Sequence, residues 1–241
     1  MLTFCRDFVS FQRRLPVARK GGNVRNLIVI CVSALLIAGC GKKSDEAASN
    51  IKAIAVDNNT NQLLLTASTR LIGKFGQELK TELMSALNEG GPVNAISVCQ
   101  VRAPELAAAN SGEFWTIRRV SDRNRNPNNT ASELELTFLA RFADTIGTVP
   151  EYLVAWSDTD SGKVYQHYRP ITVAPLCLKC HGTPEDIDDT VEAALAERYP
   201  EDRAIGYKAA DLRGMFVVDV RWPEGKAFAD SVAAAASAEA R

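Results

Sequence analysis

Histidine is almost missing from this sequence, with two in 241 residues. A zinc centre built on imidazoles is excluded, because neither a second C-x-x-C nor a His pair completes four ligands. Excess charge of one sign is missing too. Lys and Arg number 28 against 29 Asp and Glu, a formal net charge of −1. That balance argues against nucleic acid or a bulk anionic membrane as the main partner. There is no internal repeat, kinase motif, helix-turn-helix or second apolar span. What remains is an ordinary globular composition, 46% hydrophobic and 24% charged, long enough for one medium domain.

The first forty residues depart from that composition. Arg19, Lys20 and Arg25 precede the apolar run "LIVICVSALLIAGC", Leu27–Cys40. The run is too short to cross a bilayer comfortably and ends in small residues before a cysteine. It looks like a bacterial lipoprotein signal peptide over residues 1–39, with Ile37-Ala38-Gly39-Cys40 as lipobox. Cys40 would become the lipidated N-terminus. An ordinary secretory signal or an uncleaved anchor are the other readings, and all three export the chain. The expected place is the periplasmic side of a bacterial membrane, reached through a polar tether over residues 40–61. Spare thiols tend to pair in that compartment. Cys5 and Cys31 leave with the signal and Cys40 is used by lipid, so Cys99, Cys177 and Cys180 remain, an odd number.

The main domain is expected over residues 62–222. Leu64, Leu71, Ile72, Phe75, Leu79, Leu83 and Leu87 recur mostly at helical spacing, and Gly90-Gly91-Pro92 ends that helix. A second helix starts near Pro92 and is kinked or restarted at Pro104. "FWTIRRV" reads as a strand and "DRNRNPNN" as a loop. Ser132-x-x-Glu135 is a capping box for a helix to about Ile146. "EYLVAWS" and "KVYQHYRPITV" form a hairpin across "DTDSG". Thr183-Pro184 opens a helix with Ile187, Val191, Leu195 and Tyr199 on one face, and "GMFVVDVRW" is a last strand. The alanine-rich tail, residues 223–241, reads as a loose helix. Helices followed by an antiparallel sheet with a helical insertion make one α+β domain.

One histidine stands in "APLCLKCHGTPED", directly behind Cys177 and Cys180. C-x-x-C-H is the c-type haem attachment pattern. On a helical turn Cys177 and His181 share a face, with Cys180 beside them. Two thiols can then form thioethers with neighbouring vinyl groups while the imidazole points at the iron. Chance places this pattern in such a composition roughly once in a thousand chains. A redox dithiol would sit near a thioredoxin-like βαβ unit. A disulfide here would close almost no loop and stabilise little. One covalent haem c is the expected cofactor, with His181 as proximal ligand. Met84, Met215, His167, Cys99 or no ligand at all are the candidates for the opposite side. Each residue has a bland reading, and for Cys99 it is a small buried hydrophobe facing Ala95, Ile96, Ala103 and Leu106.

Four ordered stretches add a resemblance. "AISVCQVRAPELA", "RRVSDRNRNPNN", "YRPITVAPLCLKCHG" and "GYKAADLRGMFVV" resemble segments of an exported single-haem c-type family, long filed as a domain of unknown function. Its members occur as lone exported proteins and as sensor modules. The resemblance implies a PAS-like fold, with a central antiparallel sheet, N-terminal helices and Cys/His iron ligation. It places attachment on Cys177 and Cys180, with His181 and Cys99 as ligands. Arg118, Arg119, Arg125 and Arg169 fall inside the matched stretches. Arginine suits the carboxylates of a haem propionate pair, and Arg125 is the chosen partner.

Thiolate donation favours ferric iron, so a Cys/His site should have a low reduction potential. Two strong axial ligands leave no open position, which argues against catalysis at the iron. No distal acid–base pair supports a peroxidase-like activity. The expected function is electron transfer near a membrane face. The alternative is a haem-based redox or gas sensor working through a partner protein.

Overall fold

The computed structural model describes residues 57–144 and 150–239. The expected signal peptide, Cys40 and residues 40–56 of the tether lie outside the described residues.

Helix α1, Asn58–Ser97, starts where the Asp57 side chain accepts from Thr60 N at 2.9 Å. A carboxylate at this position satisfies an N–H that the helix itself leaves open. The helical start falls four residues inside the segment read as tether. Leu64, Ala67, Ser68, Leu71, Ile72 and Phe75 form its buried face. The expected break is present: Gly90 (φ −152°, ψ 20°) and Gly91 (φ 67°, ψ −166°) leave helical geometry. A positive φ suits glycine because it has no Cβ. The chain resumes at Pro92, passes through a π-helical turn, Val98–Arg102, and continues as α2, Ala103–Ala109. Pro104 therefore restarts the helix, at a position where its missing N–H costs nothing.

Four strands follow: β1 (Trp115–Val120), β2 (Leu153–Thr159), β3 (Gly162–Thr172) and β4 (Leu212–Trp222). They form one antiparallel sheet in the order β1-β4-β3-β2. Central β4 is apolar on both sides, because both faces of the sheet are covered. Val218 and Val220 face Leu64, Phe75 and Tyr165, and Met215 and Val217 face Phe138, Phe142 and Tyr168. Helix α3, Glu133–Ala143, covers the second face. Both halves of its expected capping box are made, Glu135 N to Ser132 Oγ at 3.3 Å and Ser132 N to Glu135 Oε2 at 2.8 Å. The fold is the expected α+β, PAS-like arrangement, an antiparallel sheet behind N-terminal helices.

The connection from β3 to β4 carries the C-x-x-C-H stretch. A 3₁₀ turn at Pro175–Cys177 runs into the single-turn helix α4, Leu178–His181. The helix expected from Thr183 starts later: Thr183 caps a 3₁₀ turn, Pro184–Asp186, Ile187 is extended, and α5 spans Asp189–Arg198. Val191, Leu195 and Tyr199 are buried as expected. The tail is helical, as expected, and it is packed rather than loose. Helix α6, Lys226–Glu239, docks on the α1 side of the sheet. Phe228 and Ala229 are buried there, and Phe228 stacks on Trp115 at 4.8 Å. Burial of these two side chains, rather than alanine propensity, holds the segment.

Candidate functional site

The C-x-x-C-H turn is fastened from several directions. Pro175 opens it, and Cys177 N bonds to Ala174 O at 2.9 Å. Gly182 N closes α4 on Leu178 O at 2.8 Å. The following loop is then sewn on: Gly206 N to Gly182 O at 2.6 Å and Tyr207 N to His181 O at 2.9 Å. Cys177 and Leu178 pack on Val173, Ala204 and Tyr207. Cys180 packs on the cluster of Ile96, Val191, Leu195 and Tyr199. Burial raises the Cys180 thiol pKa, opposed in part by the Arg125 cation.

His181 Nδ1 lies 2.7 Å from Ala204 O. A carbonyl oxygen only accepts, so Nδ1 carries the proton and Nε2 is left with its lone pair. The same bond fixes the ring's orientation, the usual support for an imidazole that ligates through its other nitrogen. Burial, with help from the Arg125 and Arg213 charges, holds the imidazole pKa well below 6.5. The ring is therefore neutral and able to donate.

Cys99, Cys177, Cys180 and His181 all line one cavity of about 230 Å³. All three cysteines are free thiols and half-buried. Leu83, Leu87 and Ile96 supply apolar wall. Among the described residues no three His, Cys, Asp or Glu side chains converge on a metal-sized point. The four donors line the space rather than meeting at a point. Cys99 reaches the cavity from the π-helical turn after the Gly90-Gly91 break. π turns are rare and recur at functional sites.

The expected alternatives for a ligand lie elsewhere. Met215 is fully buried between β4 and α3, and Met84 is 37% exposed outside the cavity lining. His167 is fully buried, with Nδ1 2.6 Å from Ser68 Oγ, and does not line the cavity.

Of the four arginines expected to face carboxylates, Arg119 and Arg125 line the cavity. Arg118 instead pairs with Glu135, and Arg169 with Glu151 at 3.5 Å. Alternation along β1 separates Arg118 from Arg119, since neighbours on a strand point to opposite faces. Arg125 lines the cavity and is also engaged within the protein. Its side chain is only 6% exposed, and its Nε donates to Asp202 Oδ2 at 2.8 Å. Its Nη2 donates to the carbonyls of Cys180 and Ala204. Arg125 ties its own loop to α4 and to the 202–204 loop, and Asp202 lies against its charge.

Sequence reasoning missed Arg213. Ile171 pairs with Gly214 and Thr172 with Leu212, so Arg213 is the extra residue of a β-bulge. A bulge re-aims a side chain, and here it brings the guanidinium into the cavity lining. Gly214 makes the bulge possible. Its φ is 154°, and a Cβ would fall 2.4 Å from Val120 O. The "LRGMF" stretch held this signal in its mid-strand glycine.

No curated protein matches the sequence. A solved structure described as the cyanobacterial heme-protein Tll0287 is similar to this chain. It has 24% sequence identity and a TM-score of 0.45, covering 69% of this chain and 98% of that one. The Tll0287-like family matches residues 41–221, which takes in α1, the π turn, the C-x-x-C-H turn and the sheet up to Arg221, but not α6. The chain belongs to the Tll0287-like family.

Proposed function

We propose that this protein is an exported, lipid-anchored c-type haem protein that works in electron transfer. One observation carries the reading. A C-x-x-C-H turn, its histidine oriented by Ala204 with Nε2 unprotonated, shares one apolar-walled cavity with a free cysteine from another element. The protein for which the family is named is described as a heme-protein.

The residues present fit that group. Cys177 and Cys180 would hold it, each thiol adding its S–H across one vinyl group. His181 Nε2 and Cys99 Sγ would hold its iron. When bound, a haem supplies one-electron chemistry at its iron. The chain's part is to exclude water and keep the donors in place. Leu83, Leu87 and Ile96 supply the dry wall, and the Arg125–Asp202 clamp holds the turn. Donors from both His181 and Cys99 would engage the iron, which supports electron transfer over catalysis.

A haem-based redox or gas sensor acting through a partner is the second reading, and one feature favours it. Cys99 sits in the π turn between a glycine break and a proline restart. Release of Cys99 there would let the segment relax toward regular helix.

The test is expression of the full chain in a host equipped for cytochrome c maturation. The purified protein is expected to be coloured and to keep haem stain on a denaturing gel, and Cys177→Ala with Cys180→Ala to lose that stain. Colourless mature protein overturns the reading. A reduced form indifferent to carbon monoxide supports electron transfer, and ready binding supports sensing.

A further inference from the structure

Three guanidiniums line the cavity, those of Arg119, Arg125 and Arg213. Asp202 matches the charge of Arg125. Among the described residues the other two make no ion pair, and Arg213 feels Asp202 only as a minor influence. Among the described residues the Arg119 side chain has no hydrogen-bond or ion-pair partner. Arg213 spends Nη1 on Ser121 Oγ and Arg123 O, both at 3.2 Å, and lies over the Tyr207 ring. Its Nε is buried with no partner. Half-buried cations without counter-charge are still costly, and desolvation is the largest influence pulling both pKa values down. A fold that keeps two such groups beside one cavity is built for two negative charges.

We propose that Arg119 and Arg213 are the seat of a carboxylate pair, the two propionates of the haem. The assignment rests on the haem reading, and it replaces Arg125 in that role. β1 presents Arg119 on the cavity face, the bulge at Gly214 brings Arg213 in, and a planar fork suits a carboxylate. The main competing role for Arg119 is pairing with Cys99, which lines the same cavity.

The experiment compares Arg119→Gln, Arg213→Gln and Arg119→Lys in the matured, haem-stained protein. Thioether attachment depends on Cys177 and Cys180, so the gel stain is expected to persist in all three. The reduction potential is expected to fall in both glutamine variants, because reduction adds negative charge that the guanidinium no longer offsets. It is also expected to gain a pH slope between about pH 6 and 8, as an unpaired carboxylate titrates nearer neutrality. Arg119→Lys should restore much of the wild-type profile. In the colourless Cys177→Ala/Cys180→Ala protein, Arg119→Gln should raise the melting temperature, whereas in the haem-loaded protein it should lower it. An unchanged potential and pH profile in stained glutamine variants overturns the proposal and leaves the haem reading standing. So does an Arg119→Gln effect that vanishes in a Cys99→Ser background, which would assign the guanidinium to the thiolate. An unstained wild type removes both readings together.

Discussion

His181 and His167 carry the same ring into opposite circumstances. His181 has one nitrogen held by a carbonyl and the other free at a cavity. His167 is sealed against α1, its Nδ1 on Ser68 Oγ and its Nε2 buried without a partner. Burial, then the Arg169 charge, lowers the His167 pKa from 6.5 to about 4. A group whose folded pKa is depressed contributes stability that is full above its unfolded value and is lost as pH falls toward the folded one. Stability should therefore drop between pH 6.5 and about 4, by up to about 3 kcal/mol from this residue. His167→Gln should flatten that part of the curve; urea unfolding at stepped pH checks it, and parallel curves for the two proteins would refute it. At Cys99 the expected change is spectroscopic. With haem held by Cys99 as proposed, Cys99→Ser should shift the ferric absorption spectrum from low-spin to high-spin. An unaltered ferric absorption spectrum would count against Cys99 as a ligand.

The elements that place the site are short, and they depend on one another. α4 is a single turn, below the length at which a helix holds itself. Its geometry comes from the 202–207 loop and from Arg125, which bonds Asp202 together with the carbonyls of Cys180 and Ala204. Arg125→Met would leave Asp202, 11% exposed, without its partner. The expected cost is about 3 kcal/mol. The haem-stained fraction should fall with it, since Ala204 also orients His181. Melting temperature and stain per milligram measure the two effects, and loss of stability with full staining would separate the clamp from the site. The bulge is the other vulnerable element. Gly214→Ala meets both a positive φ and the Val120 carbonyl, so the β1–β4 register at Val120–Met215 should loosen. Faster amide exchange at β1 than at β2 is the expected sign.

Across the whole molecule, the sheet separates two duties. One face is closed by α3 around Phe138, Phe142 and Tyr168. The other carries α1 and α6, with the cavity where Arg119, Ile171 and Gly214 meet Ile96 and Cys99. The C-terminal helix belongs to this design. Phe228 is 6% exposed against Trp115, so Phe228→Ala should cost about 3 kcal/mol, read as a lower urea midpoint. A change within error would mean the helix is dispensable.

Much was legible where the cause is local. Helical spacing in α1, the Ser132–Glu135 capping box, the break at Gly90-Gly91, the β2–β3 hairpin and the C-x-x-C-H pattern each depend on residues a few positions apart. Thr183 misled for a local reason too: its cap serves a 3₁₀ turn, and the helix waits for Asp188. The arginines were not legible. Their surroundings are set by partners far along the chain: Asp202 for Arg125, Glu135 for Arg118, a bulge opposite Ile171 for Arg213. By itself the sequence determined the elements, their order and the chemistry of the donor turn, since those follow from short-range spacing. Only the tertiary structure decided which charges are spent and which face the cavity, because charge compensation is a property of neighbours in space.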